Sequence, residues 1–167
     1  MTQRDLVFDA VKSIGKLFTR PDDDWSPIML LETKTGPVIT ALSFDSADSK
    51  EAFAIALPSL LRKLGATLMA LVVSAWTLYT TPIKYELQMA MGDGSIRDHP
   101  DRQEKVMVTF ADHTGAESWG ALITRSEHAP PELCEFTKMD MDDAKSTGRF
   151  SHQALIAAMR YATKEIT

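Results

Sequence analysis

The amino-acid sequence predicts an α+β fold, with a mixed, mainly antiparallel sheet of five to six strands and about three helices packed against it. Three observations carry that expectation. Apolar residues recur at three- and four-residue steps in segments near both ends of the chain and over 52–64. Two pairs of β-rich runs are each joined by a short link that contains a glycine. Between those pairs lies Thr67 to Tyr79, which is apolar on both alternating faces, as in a strand covered on both sides.

The elements follow in order. Thr2 to Phe18 reads as a helix, with Leu6, Val7, Ala10, Val11, Ile14, Leu17 and Phe18 on one face. Thr2 and Asp5 have capping-box spacing, and Pro21 with Asp22-Asp23-Asp24 ends the helix in a solvated turn. Ile28 to Thr33 and Val38 to Ser43 flank Lys34-Thr35-Gly36-Pro37 as a hairpin. Asp48 and Glu51 give a second capping spacing, ahead of a helix from Ala52 to Leu64 that Pro58 should kink or split. Gly65 is a natural C-cap. In Thr67 to Tyr79, Leu71, Val73, Ala75 and Tyr79 face one way, and Val72, Ser74, Trp76 and Leu78 the other. Strand, helix and strand here predict a right-handed crossover unit. Residues 80–104 have no clear period, and a connection that long is usually functional. Lys105 to Ala111 and Ser118 to Arg125 form the second hairpin, and Leu133 to Thr137 a short edge strand. A last helix begins at Ser151, with Phe150 and Leu155 spaced as a hydrophobic staple.

The totals restrict the function classes. A chain of 167 residues fits one domain, 1–167, able to bury a core without disulfide or metal. With 18 basic and 23 acidic residues the net charge is −5, which argues against general nucleic-acid binding. The single cysteine, Cys134, excludes an internal disulfide and a thiolate metal site, and reads as a small, partly buried side chain. The longest apolar stretch, Ala66 to Leu78, is too short for a bilayer span, so the expected setting is cytoplasmic, without membrane partners.

Few residues suggest chemistry. His99, Asp101, Arg102 and Glu104 form the densest group of functional side chains, just ahead of a predicted strand. His99 has the chemistry of a general base, Arg102 that of an anion clamp, and Asp101 or Glu104 could orient either one. The competing reading is a local turn fixed by Pro100. His113, His128 and His152 complete the histidines, and none stands at a metal-ligand spacing from another. His152, as first residue of the last helix, meets the unfavourable end of the helix dipole if protonated. Phosphate-binding glycine loops, dinucleotide fingerprints and nucleophile elbows are absent from the sequence, and no metal or cofactor is implied.

The stretch from Trp76 through Pro100-Asp101-Arg102-Gln103-Glu104 into Val106-Met107-Val108 resembles a group of small bacterial and phage-encoded proteins. In these, a strand ending in Ser-Glu-Ala-Trp leads through a loop to Pro-Asp-Arg-Gln-Glu and a second strand. Here Val73-Ser74-Ala75-Trp76 lacks the acidic residue. The resemblance implies no particular activity, only that Trp76, Asp101, Arg102 and Glu104 belong to one structural unit. Two expectations result. The first is a non-catalytic binding or regulatory protein with a protein partner or a second copy of itself, binding through Trp76, His99, Arg102 and Glu104. The second is a small hydrolase or transferase that uses His99, Asp101, Arg102 and Glu104.

Overall fold

A computed structural model of the chain describes residues 1–77, 102–140 and 149–164. Its described elements are α1 (Gln3–Gly15), β1 (Ile28–Thr33), β2 (Gly36–Ala41), α2 (Ala47–Leu64), β3 (Ala66–Thr77), β4 (Gln103–Ala111), β5 (Ala116–Thr124), β6 (Glu132–Leu133), β7 (Thr137–Lys138) and α3 (His152–Thr163). The strands form one sheet in the order β2-β1-β3-β4-β5-β6, with β7 also on β5. Every described pairing is antiparallel. The fold is therefore α+β, as the patterning predicts.

The central position of β3 follows from its sequence. Met69 and Leu71 point to one face, toward Leu57 and Leu61 of α2 and Leu155 and Met159 of α3. Ala70 and Val72 point to the other, toward Val11 of α1 and the buried Trp25. Two apolar faces require two coverings, and helices on both sides of the sheet supply them. On the α1 face an aromatic group locks the helix down. Phe8 stacks on Phe136 at 4.3 Å and meets Phe110 edge-on at 5.9 Å. The indole Nε1 of Trp25 donates to the Val11 carbonyl at 2.9 Å, so the buried ring carries no unmet donor.

Several local expectations need correction. The predicted crossover exists as β2–α2–β3, but β2 and β3 are not neighbours. Each is antiparallel to β1, which lies between them. The two-residue turn at Lys34-Thr35 folds β2 directly onto β1, so β3 can pair only along the other side of β1. Helix α2 begins at Ala47, five residues before the expected start. It is capped by Ser46 and Ser49 rather than by Asp48 and Glu51. It also runs unbroken through Pro58. Pro58 forfeits one main-chain bond, and burial of Leu57 and Leu61 on the sheet holds the turns on either side of it. The expected edge strand at 133–137 is two short pieces, Glu132–Leu133 and Thr137–Lys138. Cys134, between them, is exposed rather than partly buried, although its main-chain N–H bonds the Leu122 carbonyl at 2.9 Å.

Other local features match. Thr2 and Asp5 form a reciprocal capping box. Gly65 takes the left-handed conformation, φ +64°, that lets α2 turn directly into β3. Ser151 caps α3, and Phe150 joins the core that contains Leu155.

Candidate functional site

The end of the sheet where β3 finishes and β4 begins carries the residues singled out by sequence. Trp76 lies directly opposite Glu104 across the two strands. Arg102, two residues before Glu104, stacks its guanidinium over the Trp76 ring at 4.7 Å. Trp76 is 40% exposed, so this stacked pair is a surface feature. His99 and Asp101 lie outside the described residues, and the expected cluster is therefore described for Trp76, Arg102 and Glu104 alone. Trp119 of β5 is covered by α1, with Phe8 at 5.5 Å and Arg4 over its ring at 4.8 Å.

Glu104 is engaged by Arg125. Both its oxygens accept from Arg125 at the end of β5, Oε2 from Nε at 2.7 Å and Oε1 from Nη2 at 2.8 Å. Arg125 has five N–H donors in a rigid fork. Besides the two on Glu104, Nη1 donates to the carbonyls of Asp23 and Pro21, at 2.9 and 3.2 Å, and Nη2 lies 3.2 Å from Oδ1 of Asp24. The other Asp24 oxygen accepts from the Ser74 hydroxyl at 3.1 Å. The hydrogen bond to Glu104 is the main influence raising the guanidinium above its ordinary value, and the Glu104 and Asp24 charges add to it while burial opposes. The group therefore fastens the turn after α1 to the end of the sheet. The acidic triplet is a turn, as expected, with Asp23 accepting from the Thr19 and Arg20 N–H groups at 2.9 and 3.0 Å. Asp24 is drawn out of that turn into the fastening. Neither Arg125 nor Asp24 was legible as part of a site, because their meeting depends on a contact across about 100 residues.

A second polar group lies on the opposite face. Ser118 Oγ is 2.8 Å from His152 Nε2 and 2.8 Å from Thr109 Oγ1. A serine bonded to a histidine has the geometry of a nucleophile and its base. Ser118 is 1% exposed and His152 4%, however, so no substrate reaches either atom. The trio ties the first turn of α3 to β4 and β5. Its histidine was visible in the sequence, but its partner was not. Among the described residues no group of three His, Cys, Asp or Glu side chains is placed to hold a metal ion.

One concavity has no counterpart in the sequence patterning. α1 crosses β3 to β6 and leaves β1 and β2 open on the same face. Between them runs an apolar groove of about 280 Å³, walled by Leu6 and Ala10 of α1 and floored by Leu30, Ile39, Leu68 and Ala70. Leu6 is 55% exposed and Ile39 68%. Among the described residues, Glu32 is the one charged side chain that lines it. Among the described residues, the opposite face of the sheet carries two helices and this face one, which leaves a strip beside α1 that no described element covers.

No protein-family model, curated protein or solved structure matches the chain.

Proposed function

We propose that this chain is a non-catalytic binding protein that acts through protein–protein contacts. The observation that carries this reading is the groove between α1 and the β1–β2 hairpin. It is apolar, it is rimmed by Leu6 and Ile39, and it lies beside the free edge of β2. Surfaces of this kind mark sites of association, because covering them removes apolar area from water. The fate of Glu104 supports the same reading. A carboxylate held on both oxygens by a guanidinium is poorly suited to exchange protons with a substrate. A second copy of the chain is one candidate partner and a different protein the other. A cytoplasmic setting accords with a single cysteine and a net charge of −5, and no helix among the described residues is long and apolar enough to cross a membrane.

The test is co-purification from the natural source with the wild-type chain and with Leu6→Asp and Ile39→Asp. Both positions are more than half exposed, so the fold should tolerate the changes. A stoichiometric partner, or a dimer by sedimentation, that is lost in both variants supports the reading. A partner retained by both variants assigns binding to another surface, and a monomer with no partner counts against it.

A further inference from the structure

Resting on that reading, we propose that the occupant of the groove is an amphipathic helix carrying a lysine or arginine that pairs with Glu32. Three observations lead there. The first is charge. Glu32 is half-buried on the groove floor, and among the described residues its carboxylate has neither ion pair nor hydrogen bond. Only its main-chain carbonyl is engaged, by Thr67 at 3.3 Å. A carboxylate against apolar walls is stabilised by a cation brought to it and destabilised by an anion. A fatty acid or an anionic lipid surface would meet repulsion there, and the net charge of −5 adds to it.

The second observation is shape. The α1 wall runs from Gln3 to Ala10, which at 1.5 Å per residue is about 10 Å, or two helical turns. That length suits three apolar anchors at i, i+3 or i+4, and i+7 of a partner helix. The third observation favours a helix over a strand as occupant. The Leu42 N–H bonds the Pro27 carbonyl at 2.9 Å, so even-numbered positions of the β2 strand face β1. Pro37, Ile39 and Ala41 then face the free edge. Pro37 has no N–H, so a strand added at that edge would lose a ladder bond at the hairpin end of β2. A helix lying on the face needs no such bond.

The experiment uses two labelled 14-residue peptides with capped ends, one of leucine and lysine in amphipathic order and one with glutamate for every lysine. Binding to the full chain is followed by fluorescence anisotropy. The lysine peptide should bind at least tenfold more tightly than the glutamate peptide. Glu32→Gln should weaken the lysine peptide several-fold more than Glu127→Gln, an exposed change of equal net charge. Glu32→Lys should shift the preference toward the glutamate peptide. Equal effects of Glu32→Gln and Glu127→Gln, or no shift with Glu32→Lys, would overturn the assignment of a basic helix. In that case Leu6→Gln and Ile39→Gln separate the two proposals. If both weaken either peptide, the groove remains a docking site for another occupant. If neither does, the groove reading falls as well.

Discussion

Replacing Arg125 with Met removes all five donors of the fork while keeping most of its apolar stem. Three kinds of acceptor lose their partner: both oxygens of Glu104, which is 13% exposed, the carbonyls of Pro21 and Asp23, and one oxygen of Asp24. A hydrogen bond to a charged group contributes about 1.5–3 kcal/mol. The four hydrogen bonds and the ion pair to Asp24 act as one unit and the Arg125 side chain is 30% exposed, so solvent recovers much of the loss and the sum does not apply. A destabilisation of about 2–4 kcal/mol is expected, most of it from leaving Glu104 without its guanidinium. For a chain of this size that lowers Tm by about 5–15 °C. The assay is urea unfolding followed by circular dichroism, with Glu104→Gln and the double variant completing a cycle. The coupling should exceed about 1 kcal/mol. A loss below about 0.5 kcal/mol, the range of an ordinary surface substitution, would refute the claim that this group fastens the turn to the sheet.

Two further outcomes follow from the geometry. Ser118→Ala should cost about 1–3 kcal/mol, because a buried histidine loses the Ser118 hydroxyl, and Ser118→Ala combined with His152→Leu should recover part of that, because both ends of that bond are then gone and only the Thr109 hydroxyl is left over. Urea midpoints of the wild type and the two variants check this, and a double variant less stable than Ser118→Ala alone would count against it. The acid limb of stability should depend on Asp112, whose carboxyl is held below its ordinary value first by the Thr114 hydroxyl and then by the Thr114 and Gly115 N–H groups. A depressed carboxyl stabilises the fold above its unfolded value, near 3.8, and loses that contribution as pH falls through its lower folded value. Asp112→Asn should therefore flatten the stability profile below about pH 4 and lower the plateau above it. An unchanged acid limb would argue that the turn bonds do not persist in solution.

Local patterning was enough to locate most of the described elements, though not the start of α2 or the split edge strand. The alternation in β3 shows two apolar faces, the spacing in α1 shows one, and Gly65 marks the end of α2 because few other residues accept its φ of +64°. These follow from side-chain period and backbone sterics, which act over a few residues. The link between Trp76 and the Arg102–Glu104 segment was legible for a similar reason, since both border one long connection between neighbouring strands.

Tertiary structure decided what those elements face. Glu104 was read as a possible orienter of Arg102, yet its two oxygens go to Arg125, because pairing of β4 with β5 brings that fork alongside. His152 was visible at the start of a helix, but only the docking of α3 on the sheet supplies Ser118. The groove has no local signature at all. Leu6 belongs to a helix face that looks wholly inward by its period, and Ile39 to a strand that looks like any other. Both are exposed because α1 is narrower than the sheet beneath it and covers only part of that face. Periodicity reports which side of an element is apolar. How much of that side meets a neighbour is set by where the elements cross, and the sequence of any one element does not contain that.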